Sequence, residues 1–411
     1  MITTFRRAIV LMAVCACAAS ARAQEPRPAD VPQMPVLTQT PQKASGTLTR
    51  AYIWAETRID GASPASDGLF PEFGGIIPGG GLSAGPGYRH RLFGDRAIVR
   101  ASAAVSPRRY TMMRSDIEWP QLLHHRLSLG GQVKYQDFTQ INFFGIGSRS
   151  LKSDRTDYRL KDLDALAFGT VRLTPWLSVT GRAGVLQRLA IDRGLSTLYP
   201  STAERFDDSG APGLTQQPNY VHADVAIEVN TLDRPGYPSS GGRYRASVAT
   251  FHDRDLARYS FRRFEADAAQ YVPLGRSVLA FRGRIDVSQT GPGQDVPFYL
   301  LPSLGGSNSL RGYFDYRFRD RDMLLMNAEY RWPILRRVDA AVFYDAGSVA
   351  SASHLLSRTI YTDYGAGLRL HSATRMLVRL DVARGAEGTR ALVSFSTPLA
   401  LPNRTVAPYV P

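Results

Sequence analysis

A two-residue period in side-chain character runs through most of the chain after residue 47, and it restricts the fold to one built from β-strands. Within Val278–Val287, charged residues alternate with apolar ones: Arg282, Arg284 and Asp286 against Leu279, Phe281, Ile285 and Val287. Met323–Trp332 repeats the pattern, with a polar face of Asn327, Glu329 and Arg331. Successive side chains of a strand point to opposite faces of a sheet, so each segment predicts a strand with one polar and one apolar face.

The chemistry of the two faces favours a transmembrane antiparallel β-barrel over a soluble protein. The polar faces carry charges of both signs, and the apolar face of Met323–Trp332 ends in Tyr330 and Trp332. Charges suit a wet lumen, and interfacial aromatic residues suit a lipid-facing wall. A large soluble β-sandwich is the alternative on this pattern. No apolar run of about 18 residues follows the N-terminal region, so membrane-spanning helices are not predicted.

Sixteen segments are predicted as strands: 47–57, 81–92, 96–106, 109–118, 126–139, 156–173, 176–190, 219–232, 242–252, 258–272, 277–289, 323–332, 337–347, 360–370, 375–384 and 389–397. A barrel that begins at the glycine-rich Gly74–Gly81 is an alternative to the first of them. Long connections, such as 191–218 and 290–322, alternate with short turns, such as Gly94-Asp95. An even strand number and this alternation are typical of a single-chain bacterial barrel, so the prediction is an all-β barrel of about 16 strands.

The N-terminal residues predict export, and they set the first domain boundaries. Residues 1–23 have the layout of a signal peptide: basic Arg6 and Arg7, a short apolar core, and Ala21-Arg22-Ala23 before the cleavage point. A lipoprotein signal ending at Cys17 is the alternative. Residues 24–46, rich in Pro, Gln and Thr, predict a disordered periplasmic lead. The barrel is then predicted over 47–399, with a C-terminal tail at 400–411.

Composition excludes several classes of protein. Both cysteines, Cys15 and Cys17, lie in the signal, so the exported chain has no disulfide to hold it and a closed sheet would serve instead. The formal charge of +14 falls to +11 without the three arginines of residues 1–23. The basic residues are spread along an exported chain, which argues against nucleic acid and favours a polar lumen or anionic lipid head groups at a rim.

No motif predicts catalysis or cofactor binding. The chain has no G-x-S-x-G elbow, and Gly74–Gly81 lacks the Gly-Lys-Ser/Thr of a phosphate loop. The pair His124-His125 has no third ligand at a suitable spacing, so we expect no metal site. We therefore expect neither a catalytic residue nor a cofactor.

Four blocks give the chain its resemblance to the BamA/TamA family of outer-membrane barrels, also called the bacterial surface antigen family. They are Asn142-Phe143-Phe144-Gly145-Ile146-Gly147, the turn from Asp233 to Gly242, the loop Gly305-Gly306 through Leu310-Arg311-Gly312-Tyr313, and Asn327–Pro333 together with Phe343–Gly347. The resemblance covers roughly residues 75–400, and the last two blocks together are specific. The periplasmic POTRA domains of the family find no room in residues 24–46, so a variant lacking them is expected.

The third block predicts an extracellular loop that folds into the barrel. An always-charged guanidinium in a lumen needs carboxylate partners, and Glu329 and Asp345 lie on the polar faces of the two strands that follow the loop. The resemblance implies that Arg311 contacts acids at these two positions, as a structural latch. Gly312 would leave space for the backbone and Tyr313 would pack against the wall, while a solvated Arg311 is the alternative.

The second block predicts a tight turn between two strands. Asp233 can accept local backbone hydrogen bonds, Pro238 fixes φ, and Gly241 restarts the strand after the Asp233-Arg234 pair.

The resemblance implies a bacterial outer-membrane location and a role in inserting or translocating proteins or lipids there. The partners expected are outer-membrane lipids and lipopolysaccharide, with client outer-membrane proteins or periplasmic accessory proteins as further candidates. A passive porin or a two-partner-secretion pore is the alternative, and a barrel enzyme is a third class.

Overall fold

The structure is a computed structural model that describes residues 67–77, 79–351, 359–372, 375–395 and Leu399. The predicted signal peptide 1–23, lead 24–46, first strand 47–57 and tail 400–411 lie outside the described residues.

A single antiparallel sheet of 16 strands contains almost all of the regular structure. In order around the sheet, its strands are β1 (Gly68–Gly74), β2 (Ser83–Leu92), β3 (Ala97–Val105), β4 (Thr111–Gln121), β5 (Leu127–Phe143), β6 (Thr156–Thr174), β7 (Leu177–Arg193), β8 (Tyr220–Asn230), β9 (Gly241–Asp253), β10 (Phe261–Leu274), β11 (Ser277–Thr290), β14 (Asp322–Leu335), β15 (Val338–Ala350), β16 (Tyr361–His371), β17 (Met376–Gly385) and β18 (Gly388–Ser394). A separate two-stranded ribbon, β12 (Ser303–Leu304) with β13 (Phe318–Arg319), lies within the connection between β11 and β14.

The sheet forms a barrel with a charged interior. On β14 the side chains of Asn327, Glu329 and Arg331 are buried, whereas Met326 and Tyr330 between them are exposed. A lone sheet can bury its charged face only by curving round on itself, because no second layer covers that face. The alternation predicted from the sequence therefore places charges in the lumen and apolar side chains towards lipid.

The prediction and the structure differ at the start of the barrel. Every predicted strand from 81–92 onward overlaps a strand of the sheet, but the first described strand, Gly68–Gly74, was not predicted. Proline removes a ladder donor, and Pro71 interrupts this seven-residue run. Pro71 is opposite Pro86 of β2. β1 is an outermost strand in the order of the sheet, and a missing donor is tolerated on such a strand.

Most short turns lie at one end of the barrel and most long loops at the other; the exceptions are 231–240 among the turns and 106–110 and 386–387 among the loops. We call the end with connections 93–96, 122–126, 175–176, 231–240, 275–276 and 336–337, and with the described residues between β16 and β17, the turn end. The loop end carries 106–110, 144–155, 194–219, 254–260 and 291–321, the described residues between β1 and β2 and between β15 and β16, and the tight 386–387 hairpin. Because short turns face the periplasm in outer-membrane barrels, the predicted location makes the turn end the periplasmic one.

In the described connections the helices are brief: α1 (Thr202–Arg205) and 3-10 turns at Lys152–Asp154 and Phe298–Leu300. In the 122–126 turn, Leu123 and His124 have left-handed backbone angles. Among the described residues, no helix has the length and apolar character needed to cross a membrane.

Aromatic packing covers the loop end. Phe298 is fully buried, and its ring centroid lies 4.8 Å from those of both Phe143 and Tyr158. This cluster joins the connection 291–321 to the ends of β5 and β6, so the long loop is fixed at its outer part.

Candidate functional site: the loop inside the barrel

The connection 291–321, which we call the inward loop, reaches into the lumen and packs on the barrel wall. The β12–β13 ribbon brings the loop back on itself. Leu310 and Tyr313 are buried against Met323 and Val349, which belong to β14 and β15. An apolar contact therefore supports the loop tip beside its charged residues.

Arg311 at the loop tip is enclosed by carboxylates. Its Nε and Nη2 donate to the two Asp345 oxygens at 2.7 and 2.8 Å, and its Nη1 donates to Glu329 Oε2 at 2.8 Å. The guanidinium also lies 3.4 Å from the centre of the Phe343 ring. Bidentate pairing is the arrangement that best offsets the free-energy cost of desolvating a buried guanidinium.

Electrostatics keep Arg311 charged. Burial alone would lower the pKa of Arg311, but the charge and hydrogen bonds of Asp345, followed by the charge of Glu329, raise it above its ordinary value. Asn327 fixes the acceptor by donating to Asp345 Oδ1 at 2.8 Å and to the loop carbonyl of Ser309 at 3.0 Å. The loop backbone and its charged side chain are thus held by the same two strands.

The ion cluster extends two strands beyond the predicted residues. Arg369 of β16 donates to Glu329 through Nη2 at 2.7 Å, so Glu329 lies between two arginines. Arg369 Nη1 also donates to Asp381 of β17 at 2.5 Å, and Arg379 Nε lies 3.1 Å from the other Asp381 oxygen. We define the ion cluster as Arg311, Arg369, Arg379, Glu329, Asp345 and Asp381. The sequence predicts only Glu329 and Asp345 as partners of Arg311, so Arg369, Arg379 and Asp381 are additions that the structure makes.

The loop tip also reaches the last hairpin of the barrel. A Cβ added to Gly312 would lie 2.6 Å from Asp363 Cβ and 2.7 Å from the backbone nitrogen of Gly385. Tyr313 Oη donates to the Thr362 carbonyl at 3.2 Å, and the Tyr313 carbonyl accepts from Arg390 of β18. Gly312 and Tyr313 thus lie in close contact with β16, β17 and β18.

We expect Gly312→Ala to weaken the seating of the loop. The added methyl group would overlap backbone that cannot move without disturbing β17, so the loss should be about 1–3 kcal/mol, the range for an overpacked site. Urea unfolding of the detergent-folded protein measures it. Gly283→Ala is the matched control, because nothing lies within 4 Å of a Cβ built there. Equal stability of the two variants would contradict the prediction.

A further contact joins the loop region to the final hairpin. Arg317 Nε donates to Glu387 Oε1 at 2.7 Å, and Lys152 Nζ donates to the Glu387 carbonyl at 2.9 Å. The tip of the β17–β18 hairpin is therefore held from two loops at the loop end.

The predicted turn motif forms a capped turn. Asp233 Oδ1 accepts from the backbone N–H groups of Ser239 and Ser240 at 2.9 and 3.1 Å. Burial opposes this, but the hydrogen bonds from Ser239 and Ser240 lower the pKa of Asp233 below its ordinary value. Arg234 Nη2 donates to Ser239 Oγ at 2.8 Å, and Gly241 has a φ of +85°, which favours glycine.

The same turn crosses the mouth of the barrel at the turn end, and no pattern in the sequence predicts this. Tyr237 is buried, and its hydroxyl donates to Asp339 Oδ2 at 2.8 Å. Its ring stacks on His371 at 4.5 Å and lies beneath the guanidinium of Arg331 at 4.0 Å. These partners belong to β14, β15 and β16, so the turn after β8 spans the lumen to the far wall.

We expect Tyr237→Ala to loosen the periplasmic mouth. The change removes a hydrogen bond and two ring contacts from a turn that also reaches the far wall through the backbone of Gly236. Ion conductance in planar bilayers should rise above that of the wild type, while Tyr344→Ala, at an exposed lipid-facing site, should leave it unchanged. Identical conductance for both variants would show that the turn does not restrict the lumen.

A cavity of about 660 Å³ remains in the lumen beside these elements. Its wall comes chiefly from β1 and β3–β9, and it includes ion pairs such as Arg100 with Asp116 and Arg243 with Glu228. In the described part of the chain, no group of three or more His, Cys, Asp and Glu side chains is placed to hold a metal ion. His124 and His125 are exposed in the 122–126 turn.

Comparison with known proteins identifies the barrel. The model of the Omp85 superfamily domain matches residues 92–391. The chain belongs to the Omp85 superfamily. Omp85 barrels are closed barrels of the bacterial outer membrane that act as transporters or insertases and not as enzymes, which confirms the family resemblance and the predicted location.

Two solved structures show the same fold as this Omp85 barrel. The crystal structure of BamA from Haemophilus ducreyi lacking POTRA domains 1–3 has a TM-score of 0.59 and 17% identity, over 80% of this chain and 70% of that one. CdiB from Escherichia coli has a TM-score of 0.51 and 14% identity, over 83% of this chain and 60% of that one. At these identities the similarity concerns the fold alone.

Proposed function

We propose that this Omp85 barrel inserts or translocates proteins or lipids at the outer membrane, and that it does so at the seam between β1 and β18. The observation that carries the proposal is the shortness of the two strands at the ends of the sheet, between which a closed barrel has its seam. Each has seven residues and is hydrogen-bonded to one neighbour in the described sheet, β1 to β2 and β18 to β17. A strand edge with unused backbone groups can pair with a client strand.

The filled lumen favours a mechanism in which the client moves along the barrel wall and not through the lumen. The inward loop and the 231–240 turn both cross the interior, so a folded cargo has little space there. A client strand pairing at the seam would need no such space. Client outer-membrane proteins, periplasmic accessory proteins and lipopolysaccharide are the partners that this proposal implies.

We also infer that Arg311, Gly312, Tyr313, Glu329 and Asp345 form a structural latch that holds the inward loop on the wall. The support is geometric: the contacts of these residues reach every strand from β14 to β18. In this arrangement the latch stabilises the half of the barrel that ends at the seam.

Depletion of the protein in its native host tests the proposed function. Loss of particular outer-membrane proteins, or phospholipid appearing in the outer leaflet, is the expected result. Expression of the wild type, or of the control variant Arg321→Glu, should restore the normal outer-membrane proteins and lipid asymmetry. An unchanged outer-membrane proteome together with unchanged lipid asymmetry would overturn the proposal.

A transport pore is the second candidate, as a passive porin or a two-partner-secretion channel. The cavity of about 660 Å³ with arginine-rich walls is the observation that favours it. Conductance in planar bilayers separates the two functions. A large, steady, ion-selective current from the wild type would favour the pore, and a nearly closed channel would favour insertion or translocation at the seam.

A further inference from the structure

The periplasmic turns share a feature that the function above does not use. Four of them, 93–96, 122–126, 275–276 and 336–337, carry an exposed arginine: Arg96, Arg126, Arg276 and Arg336. In the described part of the chain, no carboxylate forms an ion pair with any of these four side chains. Four unneutralised guanidinium groups are therefore displayed at one rim.

Each of these arginines has an exposed apolar neighbour. Phe93, Leu123, Leu274 and Leu335 are between 50% and 70% exposed, and each lies within three residues of the arginine of its turn. An apolar side chain at the end of a barrel strand is stabilised by insertion into the membrane interface, and the adjacent cation then lies at the level of the head groups.

The distribution of the pairs around the barrel argues for lipid as the partner. The four turns follow β2, β4, β10 and β14, so they are spread around the circumference of a 16-stranded barrel. A docking protein would need one continuous patch, whereas a lipid leaflet surrounds the whole rim. At the loop end, by contrast, the exposed Arg193 and Arg205 have the acidic partners Glu204 and Asp154. Other exposed arginines there, namely Arg109, Arg188, Arg254 and Arg262, have no exposed large apolar side chain within three residues.

We propose that Arg96, Arg126, Arg276 and Arg336 bind the phosphates of anionic phospholipids in the periplasmic leaflet. Guanidinium groups bind phosphate bidentately, and the neighbouring apolar side chains would keep each arginine at the depth of the head groups. The binding would fix the height and tilt of the barrel in the membrane. It depends on the outer-membrane location alone and holds whether the barrel inserts proteins, moves lipids or conducts solutes.

Lipid selectivity of the full-length protein in vesicles tests the proposal. Electron spin resonance of spin-labelled phosphatidylglycerol and phosphatidylcholine in phosphatidylcholine vesicles reports which lipid is retained at the barrel surface. We expect the wild type to prefer phosphatidylglycerol. In the quadruple variant R96Q/R126Q/R276Q/R336Q, the ratio of retained phosphatidylglycerol to phosphatidylcholine should fall by about threefold or more. High salt should weaken the preference of the wild type in the same way, because exposed charges are screened.

The matched control changes four exposed arginines at the loop end, R109Q/R188Q/R254Q/R262Q, and should keep the preference. An equal loss in the control, or no preference in the wild type, would overturn the proposal; the latter would indicate that the rim serves an acidic protein partner. Inorganic phosphate added to the protein in detergent distinguishes a free-anion site: binding that the quadruple variant abolishes would also overturn the lipid assignment. If the quadruple variant does not fold, the double variants R96Q/R126Q and R276Q/R336Q should each lose part of the preference.

Discussion

Replacing Arg311 by glutamate is expected to abolish the heat-resistant folded form of the barrel. The side chain is 2% exposed and makes three charge-assisted hydrogen bonds to Glu329 and Asp345. Removing one partner of a buried pair costs about 3–5 kcal/mol, and the reversed charge adds repulsion to the carboxylates that remain. Because a domain is stable by only about 5–15 kcal/mol, most of the margin should be lost.

Migration on gels before and after heating measures this effect, and urea unfolding gives its size. Arg321→Glu is the control in the same loop, because the Arg321–Asp295 pair is more than one third exposed on both sides. Exposed pairs contribute about 0–1 kcal/mol, so this variant should migrate like the wild type. Wild-type migration of Arg311→Glu would show that the loop does not stabilise the barrel.

The second large effect is expected from Glu329→Gln. Glutamine keeps the shape of the side chain but removes the charge that lies 2.8 Å from Arg311 and 2.7 Å from Arg369. Arg311 keeps Asp345 and Arg369 keeps Asp381, but the carboxylate between the two buried cations is lost, so we expect a loss of about 3–5 kcal/mol of unfolding free energy. Glu228→Gln is the control, because Glu228 also faces the lumen and pairs with arginine but is 18% exposed.

A double-mutant cycle separates the charge effect from a change in packing. Adding Arg369→Gln to the Glu329→Gln background should cost less than Arg369→Gln alone, since it removes a cation that has lost one partner. Additive costs, or equal losses from Glu329→Gln and Glu228→Gln, would show that the ion cluster is not electrostatically coupled.

Local patterning was sufficient to predict the strands because side-chain direction in a strand repeats every two residues whatever the rest of the chain does. Val278–Val287 and Met323–Trp332 therefore had predictable faces. The same logic fails for Gly68–Gly74, where Pro71 and two glycines mask the period and only pairing with β2 creates a strand.

Long-range contacts are harder to predict from the sequence than strands are. Glu329 and Asp345 were predictable partners of Arg311 because they lie on polar faces of the two strands that follow the loop. Arg369 and Asp381 lie on equally polar faces, but nothing local indicates that their height in the barrel matches that of Glu329. Strand register decides it, and register is a property of the assembled ladder.

The sequence by itself determined an exported, all-β membrane barrel and an arginine loop tip that needs acids, because periodicity and the cost of a buried charge are local facts. Only the tertiary structure decided that Arg311 joins a cluster extending to β17 and that Tyr237 carries its turn across the lumen to Asp339. Barrel curvature is the reason: it brings together walls that are far apart in the chain, and no local pattern records which residues meet across the interior.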